Sequence, residues 1–259
     1  VHYAGQSCDM DRINDIAKRH NLFVVEDAAH AVCATYKGTP IGGGHNAVAF
    51  SFYATKNLST GEGGMLTSDD EEFINKARVM SLHGMSRNAW NRYSKGGSWR
   101  YDVEYAGHKY NMTDIAAALG LAQLNKIDGM QSLREEYAYI YGKAFEDLEG
   151  IEPLEISDKG RHAWHLYAIR IKSDKLDIDR DEFARIMTED YNIGISVHFI
   201  PVHLHPFYVN NYNTTRGQYP KAENLFDEEL SIPLYPAMTK DDVEYVAEAV
   251  REIALQHAK

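Results

Sequence analysis

Only two cysteines, Cys8 and Cys33, occur in the 259 residues. They form neither a disulfide framework nor a metal-binding pattern, and they predict a reducing compartment, the cytoplasm. Long apolar runs are also missing: none approaches the ~18 residues that a membrane span needs. Basic residues are in deficit, with 27 Lys and Arg against 38 Asp and Glu and a net charge of −11. That balance argues against nucleic acid or an anionic membrane surface as the main partner, although local backbone donors can still hold a small anion. Internal repeats and low-complexity segments are absent. What is present, 44% hydrophobic and 25% charged residues, suits a globular protein of one large domain, or of one large and one small.

In chain order, residues 1–5 read as the tail of a strand. Asp9 then caps a helix to His20, with Ile13, Ile16 and Ala17 on one face. Leu22 to Glu26 is an apolar strand, and the spacing predicts a βαβ unit with a parallel pair. Residues 34–46 are loop-like. Val48 to Phe52 has the β-branched and aromatic content of a buried strand, and Gly63 to Ser68 returns from the turn as a short one. Ser68 or Asp69 caps a further helix, whose Asp69, Asp70, Glu71 and Glu72 are solvated charges suited to a helix amino terminus rather than a metal site. From Ser86 to Tyr110 the pattern breaks into aromatics (Trp90, Tyr93, Trp99, Tyr101, Tyr105 and Tyr110) interleaved with Arg87, Arg92, Lys95 and Arg100. We read this as a substrate or subunit-contact loop.

Asn111 to Asp114 opens a long helix with Ile115, Ala118, Leu119, Ala122 and Ile127 on one face. Asp128-Gly129 marks a break before a second helical stretch through Leu148. Beyond Gly150 the expected elements are a strand from Trp164 to Ile171, a helix from Asp181 to Tyr191, a strand from Ile193 to Phe199 and a helix from Thr239 to His257. The division expected is a larger part at 1–129 and a smaller α/β domain at 130–259. The chain opens on Val1 within strand-like sequence, so the true amino terminus and any targeting signal are expected to precede it.

Asp27 and Lys56 each sit just beyond an apolar strand. If those strands are parallel, both residues emerge at the sheet edge where α/β proteins bind ligands. A carboxylate and an amine converging there make either a structural salt bridge or a pyridoxal phosphate site. The second needs a lysine to form a Schiff base, an acid at the pyridine nitrogen, a hydroxyl for the phosphate and a group beside the ring. Lys56, Asp27, Ser51 and His30 supply these. Further along, His198, His203 and His205 allow a metal site, a sugar or diphosphate contact by His198 or His203, or plain packing; no nearby cysteine or acid completes a metal set.

These residues carry a family resemblance. Glu26-Asp27-Ala28-Ala29-His30-Ala31, Ser51-Phe52-Tyr53-Ala54-Thr55-Lys56-Asn57 and Gly61-Glu62-Gly63-Gly64 resemble the pyridoxal-phosphate-dependent sugar aminotransferases, the DegT/StrS type of fold-type I enzymes. The resemblance continues through Gly107-His108-Lys109-Tyr110-Asn111-Met112-Thr113-Asp114 and Trp164-His165-Leu166-Tyr167 to Val197-His198-Phe199-Ile200-Pro201-Val202-His203. It implies an α/β fold with a mostly parallel sheet, flanking helices and a smaller carboxyl-terminal α/β domain. It further implies a homodimer with a shared active site that moves an amino group from glutamate to a nucleotide-linked keto-sugar, for cell-surface polysaccharide or related sugar biosynthesis.

On this resemblance Lys56 is the Schiff-base lysine, Asp27 the pyridinium partner and Ser51 a phosphate ligand. Asn111 reaches the phosphate of the neighbouring subunit's cofactor. His30 stands where many members have glutamine and the enzymes making UDP-4-amino-4-deoxy-arabinose have histidine, which points to a 4-keto sugar. Members place a cofactor-stacking aromatic and a phosphate-binding loop well before the aspartate, whereas only 26 residues precede Asp27 here. The expectation is therefore a member lacking the first part of its large domain. Two alternatives follow: a non-catalytic regulatory or interaction member of the same fold, and a sugar dehydratase, against which the intact Lys56 speaks because those relatives carry histidine there.

Overall fold

The computed structural model describes residues 1–86 and 101–259. Arg87, Trp90, Arg92, Tyr93, Lys95, Trp99 and Arg100 of the expected contact loop lie outside the described residues. The chain divides into two units, Val1–Ile127 with Asp158–Ala163, and Asp128–Ser157 with Trp164–Lys259.

In the first unit no strand precedes the first helix. Ala4 and Gly5 take positive φ values of 58° and 104° and close a 3₁₀ turn at Tyr3–Gly5, a conformation an extended ladder cannot hold. Helix α1 (Met10–His20) follows, capped by the Asp9 side chain and ended by Asn21 in the left-handed region. Ala17 is buried, but Ile13 and Ile16 are exposed rather than inward. Strand β1 (Val25–Asp27) begins later than expected, and Leu22 and Phe23 lie in solvent. The expected βαβ unit is therefore not formed.

The parallel partner of β1 lies instead further along the chain. A small antiparallel hairpin, β2 (Thr35–Tyr36) and β3 (Thr39–Pro40), occupies the segment expected to be loop. Its turn residues Lys37 and Gly38 have φ of 48° and 82°, as a two-residue turn between twisted strands requires. β4 (Ala47–Ser51) then pairs in parallel with β1, Asp27 lying beside Ala49. β5 (Gly64–Thr67) pairs antiparallel with β4, so parallel order is confined to the β1–β4 pair of this three-stranded sheet. Residues 158–163 return to this unit, Thr35 N–H donating to Arg161 O at 3.1 Å and Ala163 N–H to Gly5 O at 2.8 Å.

Helix α2 (Glu71–Met80) is capped by Asp70, one residue beyond the expected positions, and α3 (Asp114–Leu124) by Thr113. The helical break falls at Asn125–Lys126, where Asn125 N–H still reaches Leu121 O at 3.2 Å. Gly129 lies inside α4 (Ile127–Phe145), a position where glycine is costly but tolerated.

The second unit packs α4 with four further helices and an antiparallel sheet. Its strands β6 (Ile151–Pro153), β7 (Tyr167–Ile171) and β8 (Glu229–Ile232) lie in chain order. Around them run α5 (Arg180–Glu189), the short α6 (Pro206–Tyr212) and α7 (Pro220–Glu228), and α8 (Lys240–Gln256). α8 opens on a reciprocal capping box between Thr239 and Asp242. The strand expected at Ile193–Phe199 is reduced to one bridge, Ser196 with Ser231. The next inward amide, His198 N–H, bonds to the Glu229 side chain at 2.7 Å instead of to a strand carbonyl, and that ends the ladder.

Candidate active site

β1 and β4 run side by side and end together, which brings Asp27 and the segment after Ser51 to one edge of the sheet. Past Ser51 the chain makes a closed excursion. Phe52 N–H donates to Gly63 O at 2.8 Å and Thr60 N–H returns to Phe52 O at 2.9 Å, while Lys56 N–H donates to Tyr53 O at 2.9 Å within the turn. The loop is also pinned from within. Asn57 is buried and its amide donates to Ala163 O at 2.7 Å; the Thr60 hydroxyl donates to Glu62 O at 2.8 Å. At Gly63, which has a φ of 157°, a Cβ would meet Thr60 Oγ1 at 2.4 Å, so no side chain fits.

Lys56 is half-buried, and burial lowers the pKa of its amine while the charge of Asp27 opposes that shift. The two residues thus sense each other, yet no ion pair joins them, and neither is the other's hydrogen-bond partner. The structural salt bridge is thereby set aside. Asp27 Oδ1 accepts from Ala29 N–H at 3.0 Å, which orients the carboxylate; its other oxygen has no hydrogen-bond partner among the described residues. A depressed amine has a larger neutral, nucleophilic fraction near neutral pH.

Two more residues stand at this edge. Ser51 Oγ accepts from Tyr53 N–H at 3.3 Å, and Ser51 lies opposite Gly64 of β5. His30 is buried, and its Nδ1 accepts from Ala4 N–H at 3.3 Å. A neutral His30 therefore carries its proton on Nε2, where it is a donor. An amine of lowered pKa, an oriented carboxylate, a hydroxyl and an imidazole donor fit the aldehyde, pyridine nitrogen, phosphate and phenolate oxygen of pyridoxal phosphate in chemical type. Asn111 is in the same unit, just before α3, and lines a cleft of about 920 Å³ with Gly63, Gly64, Arg78 and Tyr110. Its side chain accepts from Lys109 and donates to Met112 O at 3.3 Å.

His198 and His203 belong to the second unit. His203 is buried; its Nε2 meets Glu223 Oε1 at 2.8 Å, and its carbonyl accepts the Thr214 hydroxyl at 2.7 Å. Burial works against the Glu223 charge, but N–H donors from Gly217 and Tyr219, with His203, hold its pKa low. His198 is half-buried, with Nδ1 2.9 Å from Ser231 Oγ. His205 is exposed at the start of α6. Among the described residues no three His, Cys, Asp or Glu are grouped to hold a metal ion. Sequence reasoning gave no role to Asn57, Glu223, Glu229 or Ser231. Only Asn57 had a signal, its place beside Lys56; the others become visible through partners distant in sequence.

Comparison with known proteins bears on the whole chain. A model of the DegT/DnrJ/EryC1/StrS aminotransferase family matches residues 1–251. The spore coat polysaccharide biosynthesis protein SpsC of Bacillus subtilis is 55% identical over 98% of this chain and 65% of its own length. The UDP-4-amino-4-deoxy-L-arabinose–oxoglutarate aminotransferase of Shewanella sediminis is 38% identical over 98% of this chain and 66% of its own length. This chain thus spans just under two thirds of the length of these curated relatives. Among solved structures, Spr1654 of Streptococcus pneumoniae in its PLP form superposes with a TM-score of 0.87 at 31% identity, over 98% of this chain and 67% of that one.

Proposed function

The chain belongs to the DegT/DnrJ/EryC1/StrS aminotransferase family, and from that premise we propose that it moves an amino group from glutamate to a nucleotide-linked keto-sugar. Aminotransferases of this family use pyridoxal 5′-phosphate. The observation that carries the reading is Lys56, half-buried with a lowered pKa, near Asp27 but not tied to it at adjoining parallel strand ends. When bound, the cofactor supplies an electron sink for the carbanion formed as the substrate carbon loses its proton.

The chain's own residues do the rest. Lys56 would hold the cofactor at its aldehyde carbon, and the free amine would move the proton to and from the reacting carbon. Asp27 offers its unbonded oxygen to the pyridine nitrogen and keeps that nitrogen protonated. Ser51 donates to the phosphate, His30 to the phenolate oxygen, and Asn111 reaches the phosphate held by a second copy in a homodimer. The first unit is then the cofactor-binding part of a large domain and the second the small domain. His198 is the proposed contact to the nucleotide sugar; His203, with Nε2 engaged by Glu223, braces the loop below it. His30 and the arabinose-pathway relative favour a 4-keto sugar, SpsC a role in surface polysaccharide, and the cysteine content the cytoplasm.

The test is to load the purified protein with pyridoxal phosphate, add glutamate, and follow 2-oxoglutarate with UDP-, dTDP- and GDP-linked 4-keto sugars. The expected result is one equivalent of 2-oxoglutarate without sugar and continuous release with one of the three. A protein that takes up the cofactor but yields no 2-oxoglutarate is the non-catalytic member of the fold instead.

A further inference from the structure

A cleft of about 480 Å³ opens on the second unit, walled by the 3₁₀ turn Val202–Leu204, helix α6 and the start of α7. His203, Tyr208, Tyr212, Thr214 and Tyr219 line it, the remaining walls are apolar, and no lysine or arginine takes part. Tyr208 and Tyr212 lie one turn apart on α6 with their rings stacked at 5.9 Å, and the Tyr219 ring meets that of His203 at 4.7 Å. All three tyrosines are exposed, and their hydroxyls have no hydrogen-bond partner among the described residues.

His203 is the polar floor of the cleft, exposed to only 7%. Its Nε2 lies 2.8 Å from Glu223 Oε1, and Glu223 also accepts from Gly217 N–H at 2.7 Å and from Tyr219 N–H at 3.1 Å. Burial opposes the carboxylate charge, but these donors hold the Glu223 pKa below its ordinary value. With Glu223 ionised, Nε2 carries the ring proton and donates, which leaves Nδ1 as the acceptor of the neutral ring. Nδ1 has no hydrogen-bond partner among the described residues, yet it is not sealed from solvent, so it opens on the cleft that His203 lines.

Charge decides what fits there. Glu223 is buried behind His203, and no lysine or arginine pairs with it among the described residues. Arg216, which senses that carboxylate, is bonded to Asp227. An anion would meet the Glu223 charge and find no cation in the walls. A cation gains from the carboxylate and from aromatic rings within about 6 Å. An N–H on that cation satisfies Nδ1, which a quaternary ammonium cannot do. We propose that this cleft is a binding site for a small primary ammonium ion, its N–H donating to His203 Nδ1 and its charge lying against Tyr208 and Tyr219. The site belongs to the second unit alone and does not depend on the aminotransferase reading.

The test titrates the whole chain, labelled with ¹⁵N-histidine, with n-butylammonium, tetramethylammonium and 1-butanol. Pyridoxal phosphate is left out, because its aldehyde would itself take up a primary amine. Two-bond ¹H–¹⁵N correlations should show free His203 as Nε2–H, and n-butylammonium should shift its Nδ1 signal saturably. Tetramethylammonium, which lacks an N–H, should bind about 5-fold more weakly, the worth of one hydrogen bond. Tyr208→Leu removes a ring but keeps an apolar wall; it should weaken n-butylammonium about 2- to 5-fold and leave 1-butanol unchanged. Three results overturn the proposal: His203 found as Nδ1–H, no saturable shift with n-butylammonium, or tetramethylammonium or 1-butanol bound as tightly as n-butylammonium.

Discussion

The two units are built on opposite terms. The second closes over large side chains: Tyr141, Phe145, Phe183, Ile169 and Ile253 are all almost completely buried, with Tyr141 and Phe145 stacked at 5.8 Å and Tyr167 edge-on to both. Some of its buried polar groups end on backbone carbonyls, as where Tyr137 donates to Met238 O at 2.7 Å, and others on buried side chains, as where His203 meets Glu223. The first unit has a core of Ala28, Ala31, Ala34, Ala163 and Val48. It turns Phe23, Val25 and Leu121 outward, each more than 60% exposed, and α3 buries none of its residues. Asp27, Ser51 and Lys56 stand on this lightly packed unit. Their placement therefore depends on hydrogen-bonded turns and a short parallel pairing more than on buried apolar area. Small alanines also let backbone segments approach closely, which is what a site made of strand ends and turns needs.

That contrast can be broken at several points. The largest effect belongs to Lys56→Ala, expected to cost at least ~10³-fold in glutamate turnover, within the range of lost proton-transfer groups. It should also abolish the visible absorbance gained with pyridoxal phosphate while leaving the melting temperature nearly unchanged. A mutant that melts far below the wild type would mean that the site and the stability of its unit are one thing. Next, urea titration of Phe183→Ala should show a loss of about 3–5 kcal/mol, against about 2 kcal/mol or less for Val48→Ala. Equal losses would erase the difference between the cores.

pH should act on the first unit through two histidines, the buried His2 and the half-buried His162. Burial opposes the charge on His2, but bonds to Cys8 and Glu26 outweigh it and raise its pKa to about 9; burial alone lowers that of His162 to about 4. The raised His2 contributes stability that is complete below its unfolded pKa near 6.5 and is lost as pH climbs toward 9. His162, held neutral, contributes above its unfolded value and is lost as pH falls toward 4. Amide exchange in β1 should thus be slowest near pH 6.5 after correction for intrinsic rates, and Glu26→Gln should flatten the alkaline side alone. An unchanged alkaline limb would remove Glu26 from the explanation. The smallest effect is expected of Asn57→Ala, about 1 kcal/mol for a buried hydrogen bond, read as a several-fold weaker hold on pyridoxal phosphate. Wild-type cofactor affinity would show that the bond to Ala163 does not position Lys56.

Much of the chemistry was legible locally. Asp27 and Lys56 stand out because each follows a short apolar run, and the glycines after Lys56 announce a turn. Helix caps were readable in part, since Asp9 and Thr239 bond to amides three residues on, whereas α2 is capped by Asp70 and not by Ser68 or Asp69. The apolar faces were less so: Ile13 and Ile115 have helical spacing, but spacing says which residues share a face and not whether anything covers it.

What the sequence by itself determined was thus the inventory: the reactive lysine, the acid, the hydroxyl and the caps, each defined by neighbours a few residues away. Tertiary structure decided how they meet. β1 pairs with β4 rather than with the opening residues, because positive φ at Ala4 and Gly5 bars a strand there. The segment 193–199 gives up its ladder because Glu229, 31 residues on, takes the His198 amide. Ser231, 33 residues on, meets the same ring. Which buried polar group finds which partner across such separations depends on the packed fold, because a donor or acceptor removed from water must be bonded by whatever lies beside it.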